Sequence, residues 1–247
     1  MANSKPRRNA KSLHNAPLYR AFSLKNHPLD FTKTQYIEQL FYSRHTVPQI
    51  VFHTVTQRGH EPNTCGAIGA HQIDVRAKSA GAAAGEAMAG QVVECYRQCR
   101  GMLENAAYAV HIHRDPSLAT VWLNRHQDEA GMKASKKAFQ HIAVTASVAA
   151  ANQHAGKRFE DLYQRTIDWG GHPNERSVTG NMKMIEEPDR RVMLAIMLHG
   201  DGVQLDMALK TVAQCGMVSL ELLQVLYNAK FEILGINAAM LDLRKGL

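Results

Sequence analysis

Apolar residues recur at three- and four-residue spacing along most of this chain, which is the period of an amphipathic helix. Ile37, Leu40 and Phe41 set such a stripe for a helix over 33–57, interrupted at Pro48. Residues 58–70 are rich in Gly, Pro, Asn and Thr and read as a loop. A long Ala-rich helix follows, clearest over 86–113, with Val92, Val93, Tyr96, Met102, Leu103, Ala106, Ala107 and Val110 on its apolar face. Gly81, Gly85, Gly90 and Gly101 lie in or near it, and each costs roughly 1 kcal/mol in a helix interior. They point to close helix–helix approach, or to a helix start later than Ala77.

Asp115-Pro116 is a stop-and-restart signal, with Asp115 as N-cap and proline in the first turn. Further helices are expected over 116–128, over 131–154 with Gly156 as the stop, and over 157–169 up to the break at Gly170-Gly171. Residues 180–199 read as a small β-hairpin turning at Glu187-Pro188-Asp189, with a helical alternative in which Met193–Leu198 form a buried turn. Residues 203–235 are apolar almost all round, as a central buried helix would be. No repeat of fixed period is visible. The expectation is an all-α multi-helix bundle, with one small hairpin near 180–199.

Composition agrees with that class. Hydrophobic residues make up 45% of the 247 positions but aromatics only 6%, and an Ala- and Met-rich core suits packed helices better than a sandwich of sheets. The formal charge of +7 suggests a nucleic-acid partner at first sight. Six of the basic residues, from Lys5 to Lys25, precede the first acid, Asp30; setting them aside leaves 23 basic against 22 acidic residues. The basicity therefore belongs to the N-terminal stretch. Residues 1–17 are expected to be a disordered basic tail, and 18–247 a single helical domain.

No apolar run approaches the ~20 residues of a membrane span, and the N-terminus lacks the apolar core of a signal peptide. Cys65, Cys95, Cys99 and Cys215 have no disulfide-like spacing, so a cytoplasmic protein with reduced thiols and no membrane association is expected. Walker, Rossmann and nucleophile-elbow patterns are missing from the sequence. His53, His60, Cys65 and His71 form no compact ligand pattern, and no metal or cofactor is expected.

The densest chemistry lies in LYQRTIDWGGHPNERS, residues 162–177. Arg165 can grip a phosphate with a fork of donors, and His172 can move a proton near neutral pH. Seven positions apart on a straight helix they would stand about 10 Å from each other. A turn at Gly170-Gly171 can bring the imidazole back over the helix end. The plain alternative is a helix terminus, with His172 capping the last carbonyls and Arg165 paired to Asp161 or Asp168. Arg100 and Glu104, at i, i+4 on the long helix, form an ion pair that either supports this site or fixes helix register.

CRGMLENAAYAVHIHRDPSLATVWLNRH (99–126) followed by FEDLYQRTIDWGGHP (159–173) resembles bacterial all-helical proteins at the edge of the HEPN superfamily (higher eukaryotes and prokaryotes nucleotide-binding). The likeness covers about the middle third of the chain. It implies a HEPN-like bundle and a metal-independent endoribonuclease of a toxin or antiphage type, acting on RNA. Arg165 and His172 would be the catalytic pair, with Arg100, Glu104 and Tyr163 in support, and a homodimer would face two such sites across one cleft. The chain departs from the family pattern in Thr166, where Asn, Asp or His usually follows the arginine, and in a histidine set between Gly-Gly and Pro173. Many members of the superfamily bind or scaffold without catalysis, so a non-catalytic helical binding or scaffold protein is the alternative.

Overall fold

The stripe on the Ala-rich stretch must find apolar partners, and the fold supplies them on three sides. The computed structural model describes residues 64–172, 174–245 and 247. The expected basic tail, the helix over 33–57, and His53 and His60 of the candidate metal set lie outside them. Helix α1 (Thr64–Met88) turns back through Ala89–Gln91 into α2 (Val92–Arg114). Ala80, Ala83, Ala84 and Ala87 of α1 are buried against the α2 face that carries Cys95, Tyr96, Cys99, Met102, Leu103 and Ala106. Small side chains let the two backbones approach closely, and the Gly-rich stretch is helical from Thr64, so no later start is needed. The loop expected over 58–70 is accordingly helical over 64–70.

Asp115 Oδ1 accepts the Ser117 backbone N–H (3.0 Å) just ahead of α3 (Ser117–Leu123), whose N-cap falls on Pro116, one residue later than expected. A single 3₁₀ turn, Asn124–His126, leads to α4 (Glu129–Ala138) and α5 (His141–Ala151). The one helix expected over 131–154 is thus two, broken at Phe139-Gln140. Helix α6 (Gln153–Thr166) starts with Asn152 accepting the Ala155 N–H at 3.0 Å. Gly156 does not end a helix; it sits inside α6, where an added Cβ would lie 2.7 Å from the Cα of Ala149. Its role is close approach of α5 and α6.

After α6 come a five-residue π turn (Ile167–Gly171), a short α7 (Glu175–Thr179) and the hairpin. Strands β1 (Met182–Glu187) and β2 (Arg190–Ala195) pair antiparallel, from Met182 opposite Ala195 to Glu187 opposite Arg190. This settles the ambiguous segment as strand. Its root is tied down: the His199 N–H donates to Gly90 O (2.9 Å), and His199 Nε2 meets Asn181 Oδ1 at 2.6 Å.

Helix α8 (Val203–Ile233) is the central helix that its apolar run predicted. From Ala208 to Leu223 all but Lys210 and Gln214 are buried. Met217, Leu220 and Leu223 form a second cluster with Phe231 and with Ile236 and Met240 of α9 (Ile236–Leu243). The described residues therefore form a mostly helical bundle carrying one small two-stranded sheet. Among the described residues no helix is long and apolar enough to cross a membrane.

Burial pushes the Cys95 and Cys99 thiols well above the usual range, so they stay protonated and act as packing groups. His111 is also buried. Its ring nitrogens meet Ser147 Oγ (2.7 Å) and Ala138 O (3.0 Å), which makes it a satisfied core histidine rather than a ligand. The described residues hold no cluster of His, Cys, Asp and Glu able to bind a metal ion.

Candidate functional site

Three faces of the α6 region divide the residues that the sequence grouped together. Tyr163 and Arg165 are two positions apart, so on one helix they point to different sides. Tyr163 turns toward α2. There Arg100 Nε donates to Glu104 Oε1 at 2.9 Å, Arg100 Nη2 to the Tyr163 hydroxyl at 3.0 Å, and that hydroxyl to Glu104 Oε1 at 3.1 Å. The guanidinium also lies over the Tyr163 ring, 5.2 Å from its centroid. Burial by itself lowers the Arg100 pKa, but the hydrogen bond and charge of Glu104 carry it above its ordinary value. Burial, then the Glu104 charge, raises the Tyr163 hydroxyl, which stays protonated and able to donate.

Arg100, Glu104 and Tyr163 thus form a set of mutual contacts linking α2 to α6. Tyr163→Phe keeps the ring but removes two of the three hydrogen bonds. It should cost about 1–2 kcal/mol, read as a lowered urea midpoint with an unchanged slope.

Arg165 faces the other way, with Arg158, Asp161 and Leu162 at helical spacing on the same side of α6. Its Nη1 donates to Gln214 Oε1 at 2.6 Å and approaches Thr211 Oγ1 at 3.5 Å, both on α8. These partners are neutral. The expected pairing with Asp161 or Asp168 is not what forms: Asp168 accepts from Gln164 (2.9 Å) and lies 4.0 Å from Arg176.

Arg165 borders a cleft of about 330 Å³ between α6, α8 and the C-terminal residues, with Arg158, Asp161, Gln214 and Arg244 also in its wall. Behind the cleft Glu221 is 2% exposed and holds Arg158 on one oxygen and Arg244 on the other. Desolvation first, and then the neighbouring Arg244 charge, lowers the Arg158 pKa. Its Nε is buried with no hydrogen-bond partner among the described residues.

His172 belongs to neither set. The turn after α6 does bend at the glycines, but toward α2. Gly170 has φ 150°, and an added Cβ would lie 2.9 Å from both Val93 O and Val93 Cγ1. Asn174 Nδ2 covers the Ile167 and Asp168 carbonyls at 2.7 and 3.1 Å, and Arg97 Nε covers Gly170 O at 3.2 Å. The capping expected of His172 is therefore done by Asn174 and Arg97. His172 is extended (φ −135°) and exposed, and it does not line the Arg165 cleft.

The arginine-lined cleft is only partly visible in the sequence. Arg158 lies seven positions before Arg165 and shares its helix face, a spacing that could have been read. Gln214, Glu221 and Arg244 join through tertiary packing, which no local pattern announces. Comparison of the chain with family models, curated proteins and solved structures gives no match.

Proposed function

We propose that this chain is a non-catalytic helical binding protein of the cytoplasm that takes a phosphate group of RNA in the cleft centred on Arg165. The observation that carries the reading is the charge state of the cleft wall. Among the described residues Arg165 is held only by neutral acceptors, and no carboxylate of those residues stands within ion-pair distance of it. Arg158 and Arg244 add their guanidinium groups to the same wall, against the carboxylate of Asp161 and the buried carboxylate of Glu221 that pairs with both of them. About 330 Å³ sits at the small end of ligand pockets and suits one phosphate with part of its sugar. The six basic residues before Asp30 would add sequence-independent attraction to a polyanion.

Fluorescence anisotropy with a short single-stranded RNA tests this. Arg165→Ala should weaken binding about 10–100-fold, the value of one charge-assisted fork. Unchanged affinity in that variant would remove the proposal.

A second reading keeps the HEPN-like ribonuclease, with Arg165 holding phosphate and His172 as acid and base. It is favoured by one observation: the His172 ring is exposed, with no hydrogen-bond partner among the described residues, just after the segment that carries Arg165. It requires RNA cleavage without added metal that His172→Ala abolishes while leaving RNA affinity intact. The binding reading expects no cleavage by either form.

A further inference from the structure

We infer that the free edge of β1 is a self-association surface, on which a second copy of this chain pairs its own β1 antiparallel to make a four-stranded sheet. This stands apart from the Arg165 cleft and does not depend on it.

An isolated two-stranded hairpin is marginal in water, and among the described residues this one packs chiefly through its root, against α2 and α7. Every residue of β1 is exposed, and in β2 all but Val192 are. Apolar side chains occupy both faces: Met182, Met184 and Met193 on one, Ile185 and Leu194 on the other. Exposed edges are normally blunted by charge or proline along the strand. Here the middle of the edge is apolar and the charges lie toward its ends. Among the described residues no third strand covers either edge.

The backbone decides which groups are open. Ile196 N–H donates to Asn181 O at the root, so by alternation the pairs 183/194, 185/192 and 187/190 point inward. Met182, Met184 and Glu186 then direct their N–H and C=O groups outward. A second β1 related by a two-fold axis through Ile185 would set Met184 opposite Glu186 of the other copy, twice. All four outward groups at each of those two places would be satisfied.

The same register sets Ile185 opposite Ile185 and Lys183 opposite Glu187, twice. These are the non-hydrogen-bonded positions, where side chains come closest. The charge complementarity is specific to this edge. Glu187 already accepts from Arg190 at 2.7 Å, so each end would become a ladder of Arg190, Glu187 and Lys183 in alternating sign. Strand β2 offers no such match: it has Arg190 and Arg191 and no acid.

The test is sedimentation equilibrium on the full chain without RNA. A small edge interface predicts a dimer with a dissociation constant of about 10–100 µM. Lys183→Glu and Glu187→Lys should each weaken it at least about tenfold, because like charges then face each other at both ends. An equimolar mixture of the two variants should recover association, since every facing pair is again opposite in sign. Circular dichroism checks that each variant keeps the helical fold.

As a second readout, Ile185→Cys should form an intermolecular disulfide on mild oxidation, since such a pair has the Cα spacing a disulfide needs. Met193→Cys, on the outer strand, should not. A chain that stays monomeric to about 0.5 mM, charge variants that associate like the parent, or equal cross-linking at 185 and 193 would each overturn the inference.

Discussion

Arg76→Met should stabilise the protein by about 2–4 kcal/mol. Arg76 is 0% exposed, the largest of the fully buried side chains. Its Nη2 donates to Gly216 O on α8 at 2.9 Å, but Nε and Nη1 have no partner among the described residues. Among the described residues no carboxylate answers its charge, and desolvation lowers its pKa from the ordinary arginine range to about 9. That fall corresponds to a cost on the order of 4–5 kcal/mol for keeping the cation at neutral pH. Replacing a buried ionic group by a well-packed apolar one of similar volume is commonly stabilising by 1–4 kcal/mol.

Methionine matches the length and flexibility of the arginine stem. It gives up one hydrogen bond to Gly216 O, which limits the gain. For a chain of this size the midpoint of thermal unfolding should rise by several degrees. The pH dependence gives a second handle. From about 9 up to the ordinary arginine range the unfolded chain binds more protons at this position than the folded one, so the Arg76 penalty shrinks as pH rises through that window. The advantage of the variant, measured by urea unfolding, should be full below pH 9 and diminish above it. A destabilised Arg76→Met protein at pH 7 would contradict this account of the core.

Gly170→Ala should cost about 2–4 kcal/mol. At φ 150° an L-residue is strained whatever the space, which alone accounts for about 1–3 kcal/mol. The added methyl would also sit 2.9 Å from the Val93 carbonyl oxygen and side chain, an overlap relieved only by shifting the turn away from α2. Gly170 O accepts from Arg97 Nε at 3.2 Å, so that contact should weaken as well. Equilibrium urea unfolding of the variant reads the loss. The change lies outside the Arg165 cleft, and RNA affinity of the folded variant should stay within a few-fold of the parent.

The helices were legible because their apolar spacing is local. The α2 stripe, the Asp115-Pro116 restart and the apolar run of α8 each carry their signal within a few turns. The break at Phe139-Gln140 was hidden, since Phe139 fits the apolar phase of its helix and contacts the rings of Tyr108 and His111 only in three dimensions. Gly156 misled for a related reason. A glycine marks either a stop or a close approach, and the backbone of Ala149 decides between them.

The candidate site shows the same limit more sharply. The sequence placed Arg100, Glu104, Tyr163, Arg165 and His172 in one neighbourhood. The first three do meet. Arg165 is separated from them by the two-residue offset from Tyr163, which could have been read from helix geometry. The direction of the turn at Gly170 could not, because it is set by Val93 on another helix. The cleft is completed by Gln214 and Arg244, far away in the chain.

The most direct test of the binding cleft is an amide chemical-shift map recorded while a short single-stranded RNA is titrated into the full chain. Perturbations should centre on 158–165, 214–218 and 244, with His172 and the hairpin unaffected. A response centred on His172, or one that misses the Arg165 face of α6, would contradict it.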